Sequence, residues 1–463
     1  MQQSPPNGTP AVIAPDKPSF WRASRRNNSD GSTGKPQQAP VGSAIFRYRG
    51  YFRVCGKPDH HQLCEKFYLP NFSSTIAPLN SPHSVAYTMS PALQQFLLAF
   101  ISTLAFIIVL ARVAAKAGLV DIPDQRKKHA GDIPLVGGPA IFLSLILATI
   151  IFGETHQSIL SGHTREIAIF LFAAGILVVL GLIDDRRHVS VFTRSMIEVG
   201  VALLVIEGLD LQVSQLGDLI GIGSIKLNDW LAYPFTVICI FGVINAYNML
   251  DGMDGWLAIM VLITIFAFHL FTRTEPRLIT LTLTASLLAF LVSNLKVAPF
   301  VPKSFLGDSG SKLLGFIVVA LILAVTSTQI GGTRYIQPVT ALYLVGLPIF
   351  DMAFTILRRI LAGKSPFRGD RTHIHHLMQA LGFGQHRSLA VLTTIGLAPP
   401  FMGLILHNSG AASHYQFYMF IGCFFIYCVL MSQAWRIAEQ YQQLKDHKNS
   451  VGQNAGRHKT PYA

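Results

Sequence analysis

Long apolar runs separated by short polar loops make up most of this chain. From residue 92 onward, eleven runs reach or approach the roughly 20 residues that a membrane-spanning helix needs: about 92–114, 135–153, 167–183, 191–208, 229–247, 256–272, 278–295, 313–330, 338–358, 388–407 and 415–435. The fourth is weakened by Arg194, Glu198 and Glu207 in or beside it. Residues 209–228 break the pattern, with Gly217, Gly221 and Gly223 as turn points, and read as a short hairpin outside the membrane. The pattern predicts an all-α polytopic membrane protein with about 11 transmembrane helices. No internal repeat is visible, which weakens a transporter built from inverted halves.

Composition agrees. Hydrophobic residues make up 51% of the 463 and charged residues only 13%, where a soluble domain carries about 25%; mean hydropathy is +0.43. The net charge of +13 belongs first to loops. Those after the odd-numbered runs hold Arg126, Lys127, Lys128, Arg186, Arg187, Lys296, Lys303, Arg358, Arg359, Lys364, Arg368, Arg371 and Arg387, and those after the even runs only Arg165, Lys226, Arg273, Arg277 and Arg334. The positive-inside rule places the first set in the cytoplasm, the N-terminus outside and the C-terminus inside. A basic balance of this origin does not imply nucleic acid, but it suits a substrate made of phosphates.

Residues 1–88 are rich in Pro, Gly, Ser and Asn, hold no signal-peptide core and are expected to be largely disordered. Met89 stands directly before the first run, so the extension is either a start-site artefact or a tail of unknown use. The expected organisation is this extension, a transmembrane domain over 89–436 and a polar cytoplasmic tail over 437–463. Of five cysteines, Cys239, Cys423 and Cys428 lie in apolar runs and read as packing residues. Cys55 and Cys64 flank His60 and His61 with a spacing that matches no zinc pattern.

Five loops carry the chemistry, and all five fall in the basic, cytoplasmic set: DQRKKHAGDIPLVGG (124–138), IDDRRHVS (183–190), NAYNMLDGMDG (245–255), FLGDSGSK (305–312) and RGDRTHIHH (368–376). Carboxylates beside lipid-length apolar runs are costly and usually functional. Asp184 and Asp185 repel one another unless a cation or proton relieves them; with Arg186 and Arg187 following, the plain alternative is an interfacial charge cluster. Asn245, Asn248, Asp251 and Asp254 recur at roughly helical spacing and can share a face, with Gly252 and Gly255 allowing close approach of backbone to a ligand. Asp308, between Gly307 and Ser309, is placed to coordinate a hard cation or to cap the next helix. Magnesium, which keeps waters and takes one or two protein oxygens plus substrate phosphates, fits Asn248 with Asp308. His373, His375 and His376 suggest a transition metal at first sight, but their basic neighbours favour phosphate or sugar. Gly137 and Gly138, at a helix start, allow close packing or backbone donors to a phosphate.

Together these motifs resemble the polyprenyl-phosphate N-acetylhexosamine-1-phosphate transferase superfamily over about 92–390. The acid pair, the Asn-x-x-Asn-x-x-Asp-Gly-x-Asp-Gly run, Gly-Asp-x-Gly-Ser and the His loop follow in family order. The branch resembled is the WecA-like one, through Asp370–His376 and through Arg-Lys-x-His followed by Ile-Pro-Leu-Val-Gly-Gly over 126–138. The resemblance implies catalytic roles for Asp184, Asp185 and Asp308, and magnesium on Asn248 and Asp308, with manganese as a substitute. It implies substrate contacts from Asp251, Asp254, Arg359, Asp370, Arg371, His373, His375, His376, His129 and Asn245. Three features depart from the family pattern: Trp256 in place of Leu, Ala-Ile-Met-Val at 258–261 in place of small residues, and Lys312 in place of an uncharged residue.

The implied reaction moves N-acetylglucosamine 1-phosphate from a UDP-sugar to undecaprenyl phosphate in a bacterial inner membrane and releases UMP, an early step of O-antigen or related glycan synthesis. Another UDP-N-acetylhexosamine is the alternative donor, and a homodimer is the family's suggested assembly. The lipid phosphate attacks directly, or an Asp acts as covalent nucleophile. A phosphate monoester has a second pKa of about 6, so the acceptor is largely ionised at pH 7 and the acid pair is expected to act through position and charge. A transporter or flippase is the competing class, and would instead place ionisable groups near the bilayer midplane.

Overall fold

A computed structural model describes residues 46–48, 51–53, 89–122, 131–153, 164–273, 278–327, 329–330, 333–334, 336–365 and 372–457. The chain divides into two units, Met1–Ala86 and Tyr87–Ala463. The described part of the first is an antiparallel hairpin of β1 (Phe46–Tyr48) and β2 (Tyr51–Arg53); the rest of the extension, with Cys55, Cys64 and their His pair, lies outside the described residues.

The second unit is helical. In chain order it comprises α1 (Pro91–Ala117), the strand pair β3 (Val120–Asp121) and β4 (Ile133–Pro134), α2 (Gly137–Phe152), α3 (Thr164–Arg187) and α4 (Val191–Leu209). The pair β5 (Gln215–Gly217) and β6 (Ile225–Lys226) follows, then α5 (Asp229–Leu250), α6 (Trp256–Thr272), α7 (Leu278–Asn294) and α8 (Gly307–Ser327). The last five helices are α9 (Pro338–Leu344), α10 (Gly346–Leu361), α11 (Ile374–Ala380), α12 (Gln385–Asn408) and α13 (Ser413–Arg457). The hairpin expected within 209–228 is β5–β6.

Six of these helices (α1, α3, α5, α8, α12 and α13) are long and apolar enough to cross a membrane, and the α9–α10 pair, bent by 83°, makes a seventh if it is one broken span. α2, α6 and α7 are apolar but shorter, and α4 fills the run that carries Arg194 and Glu198. Two elements differ from expectation. The span over 338–358 is not continuous: it breaks at Val345–Gly346, two residues ahead of Pro348, whose ring and missing N–H do not allow a straight helix to pass through. α8 begins at Gly307, not 313, so Asp308 stands in its first turn, where a carboxylate is favoured by the positive end of the helix. The tail expected from 437 continues α13 as helix to Arg457.

α8 is the axis of the bundle, with every residue from Ser309 to Thr326 buried. A helix enclosed on all sides is apolar all round, and the sequence Leu313–Val325 meets that demand. Its neighbours include α2, α3 and α5, and they approach backbone to backbone. A Cβ at Gly181 in α3 would fall 2.2 Å from Ser309, and one at Gly138 in α2 would fall 2.3 Å from the Gly310 nitrogen. Small residues at such crossings are how membrane helices gain close packing, since lipid is as apolar as leucine. Gly396 in α12 plays a similar part beside Met260 and Trp256 of α6, which houses two of the side chains that depart from the family pattern.

Candidate active site

The C-terminal ends of α3 and α5, the N-terminal turn of α8 and the short helix α11 meet at one place. The first polar loop braces this junction rather than lining it through its glycines. The Gly137 N–H donates to Phe305 O at 2.9 Å, the Gly138 N–H to Leu306 O at 3.3 Å and the Phe305 N–H to Pro134 O at 2.9 Å. Of the two roles open to Gly137 and Gly138, close packing is therefore the one observed. The basic half of that loop, Arg126, Lys127, Lys128 and His129, lies outside the described residues.

The acid pair splits in function. Asp184 is buried, and its oxygens are occupied: Oδ1 accepts the Val189 N–H at 2.8 Å, while Oδ2 faces Arg194 at 2.8 Å and Lys312 at 3.4 Å. Asp185 turns toward α8, where its Oδ1 accepts the Asp308 N–H at 3.0 Å. Its Oδ2 is buried with no hydrogen-bond partner, beside Gly307, where a Cβ would come within 2.5 Å; Gly307 also has φ +67°, so this position requires glycine on both counts. The cations that relieve the pair are thus Arg194 and Lys312, while Arg186 and Arg187 are exposed. Asp308 Oδ2 lies 3.1 Å from Lys312 and 3.9 Å from Arg194.

The expected shared face over 245–254 holds only for its helical part. α5 ends at Leu250, so Asn245 and Asn248 project from a helix while Asp251 and Asp254 lie in the turn beyond it. Asn248 Oδ1 accepts from Ser311 Oγ, which joins it to α8. The Asn245 amide donates to Glu198 at 2.7 Å and to Phe241 O at 2.9 Å. Burial pushes Asp251 up to about 8, helped by repulsion from Asp308, Asp185 and Asp254. Asp254 is held from the other side, by Lys303 at 2.6 Å and by Gln385 at 2.7 Å.

The His loop closes the junction. His375 is buried against Gly252, where any Cβ would meet its Nε2 at 2.1 Å, so Gly252 serves approach of this ring. Burial, then His376 and His373, push His375 down to about 3, and its Nδ1 has no partner. It is neutral at pH 7. His373 bonds through Nδ1 to Asp351 at 2.8 Å, and Asp351 also accepts the Ile374 N–H at 3.0 Å and the Tyr427 hydroxyl at 2.8 Å. Arg359 is buried two helical turns after Asp351, on the same side of α10. Asp370 and Arg371 lie outside the described residues.

His375 gives a stability signature. An unfolded histidine takes a proton near 6.5, whereas the folded one resists it down to about 3. Between those values the unfolded state binds more protons at this site, so its contribution to stability falls as pH drops through this window. Asp251, raised to about 8, contributes with the opposite sign over the same range, so the His375 contribution is read as a difference: His375→Gln is expected to gain melting temperature relative to wild type as pH falls from 7 to 5. A difference that does not change with pH would locate the acid sensitivity elsewhere.

Sequence reasoning missed Arg194, Glu198, Lys303, Ser311, Asp351 and Gln385 as parts of this junction. Signals existed for three of them. Arg194 and Glu198 were the charges that weakened a span, and Asp351 is the lone acid within the 338–358 run; each was an ionisable group inside apolar sequence.

A bundle of membrane-length helices whose ends gather acids, amides and histidines at one place defines a membrane-embedded enzyme rather than a channel lining. The family model described as glycosyl transferase family 4 matches residues 167–326. The chain is 32% identical over 351 residues to the undecaprenyl-phosphate alpha-N-acetylglucosaminyl 1-phosphate transferase of Escherichia coli (strain K12), covering 75% of this chain and 92% of the relative. It is 33% identical over 366 residues to the protein of that description from Salmonella typhi, at 76% and 95% coverage, and 31% identical over 352 residues to that of Haemophilus influenzae, at 75% and 96%. The chain belongs to glycosyl transferase family 4, in keeping with the motifs.

Proposed function

We propose that this protein transfers N-acetylglucosamine 1-phosphate from UDP-N-acetylglucosamine to undecaprenyl phosphate, giving undecaprenyl-diphospho-N-acetylglucosamine and UMP. The observation that carries this reading is the convergence of Asp185, Asp308 and Asn248 at the ends of three apolar helices, in a chain that matches such transferases over almost their whole length. The basic loops favour a site on the cytosolic face of a bacterial inner membrane, crossed by eleven helical segments. There a soluble nucleotide sugar meets a lipid phosphate held at the interface, which supplies proximity.

Among the described residues no three His, Cys, Asp or Glu side chains stand close enough to hold a metal by themselves. The donor set still fits magnesium, which needs few protein ligands: the buried, unpartnered Asp185 Oδ2 lies beside Asp308, with Asn248 one hydrogen bond away through Ser311. Asp308 and Asn248 would hold the ion. When bound, it would screen the two anionic substrates and stabilise charge on the departing UMP.

In the proposed reaction a lipid phosphate oxygen forms a bond to the β-phosphorus of the UDP-sugar as the bond to the bridging oxygen breaks, and UMP leaves with that electron pair. Asp184, with both oxygens occupied, positions Arg194 and Lys312 and is unsuited to act as a nucleophile. Asp185 has one oxygen open and orients the first turn of α8. Arg359, from the last turn of α10, would bear on the diphosphate. Neutral His375, fixed against Gly252, sets the position of the Asp251 turn.

The test is a membrane assay with undecaprenyl phosphate and radiolabelled UDP-N-acetylglucosamine, with and without magnesium. Magnesium-dependent label in lipid with one UMP released per label is the expected result. Label only from another UDP-N-acetylhexosamine would move the sugar assignment. No lipid label from any of them would remove the transferase reading.

A further inference from the structure

Lys312 lies one turn into α8, four residues after Asp308, and is only 1% exposed. Lysine is almost never this buried unless it is paired. Its partners are the two carboxylates at the centre of the site: Asp308 Oδ2 at 3.1 Å and Asp184 Oδ2 at 3.4 Å. It therefore joins the end of α3 to the start of α8 by charge, at the same level where Gly181 lets the two backbones touch. Arg194 approaches the same oxygens at 2.8 and 3.9 Å, but it is the more exposed of the two cations, with 29% of its side chain accessible against 1% for Lys312. Water and substrate can screen or draw away an exposed guanidinium. An enclosed ammonium has no such exit.

We propose that Lys312 is a built-in counter-ion of the carboxylate centre, which holds Asp184 and Asp308 together in the metal-free protein and opposes binding of the divalent cation at Asp308. The inference rests on the magnesium reading above. Its physics does not depend on which Asp308 oxygen carries the metal. If Oδ2 does, the ammonium must give up its shorter contact. If Oδ1 does, a full positive charge still stands a few ångströms from a divalent cation in a poorly screened place. Either way the metal binds more weakly than the same oxygens would allow beside a neutral residue. The centre gains independence from the metal for its folding, because the acids are already neutralised in part before the ion arrives.

The test uses the full chain purified in detergent, with Mn2+ as probe. Free Mn2+ is followed by its electron paramagnetic resonance signal and thermal unfolding is followed in parallel. The proteins are the wild type, Lys312→Met, Lys312→Gln and Asp308→Asn. Lys312→Met is expected to bind Mn2+ at least tenfold more tightly than wild type, to melt lower without metal and to gain more from Mn2+; Asp308→Asn is expected to bind it more weakly than wild type. Equal or weaker Mn2+ binding by a Lys312→Met protein that unfolds cooperatively overturns the proposal while leaving the metal site standing. Absence of Mn2+ binding in wild type and both lysine variants overturns the magnesium reading and this inference with it. Should Lys312→Met not fold, Lys312→Gln is read the same way. Failure of both at every Mn2+ concentration also counts against the proposal, because the cation should restore the missing charge.

Discussion

Asp308→Asn lowers transfer by roughly a thousandfold or more, with little loss of folded protein. The size follows from removing a preorganised charge that acts where phosphate charge develops, together with an oxygen proposed for the metal. Folding is spared for a structural reason: Lys312 keeps Asp184 as a partner at 3.4 Å, and the Asp308 side chain is one-third accessible. Asp184→Asn should behave differently. Its carboxylate is 4% accessible, is the 2.8 Å partner of Arg194 and accepts the Val189 N–H, so its loss breaks a largely buried ion pair and leaves Lys312 with Asp308 alone, at a cost of about 3 kcal/mol. Initial rates of lipid-linked product, read beside melting curves, separate the two. Equal destabilisation by both variants would show that Asp308 is a structural acid.

Gly181→Val removes activity by moving the site rather than by touching it. Its Cβ would lie 2.2 Å from backbone atoms of Ser309, and no rotamer relieves a clash with backbone. Overpacking of this kind costs about 1–3 kcal/mol or more, and a shift of about 1 Å in catalytic groups costs on the order of a hundredfold in rate. The shift would fall on the Asp185–Asp308 contact at 3.0 Å. Gly200→Ala in α4 is the matched control, since nothing lies within 4 Å of that position, and alanine is a better helix former by about 1 kcal/mol. It is expected to leave rate unchanged. A fully active Gly181→Val protein would mean that α3 and α8 do not pack as described.

The outcome for the helices shows where sequence reasoning has purchase. Each of the eleven apolar runs is occupied by helix, because the demand that lipid places on a segment is local: enough apolar residues in a row. The break at Val345–Gly346 and the early start of α8 at Gly307 are local too, and Pro348 and Gly307 were visible as their causes. The His-loop geometry was not. That His375 rests on Gly252, and that Asp351 and Tyr427 anchor His373 from α10 and α13, depends on which helices are neighbours, and hydropathy is silent about neighbours.

The same division holds at the site. The candidate acids, amides and histidines could be named from residue type and spacing alone, since charge beside lipid-length apolar sequence is costly enough to single them out, and family membership follows from those motifs. What each does was decided by tertiary structure. Asp184 and Asp185 are adjacent in sequence and equivalent on paper, yet one is occupied by Arg194 and Lys312 and the other holds an open oxygen beside Asp308. Adjacent helical residues point about 100° apart, so one meets the cations of α4 and α8 and the other the first turn of α8. Which partner waits in each direction is a property of the packing, not of the dipeptide.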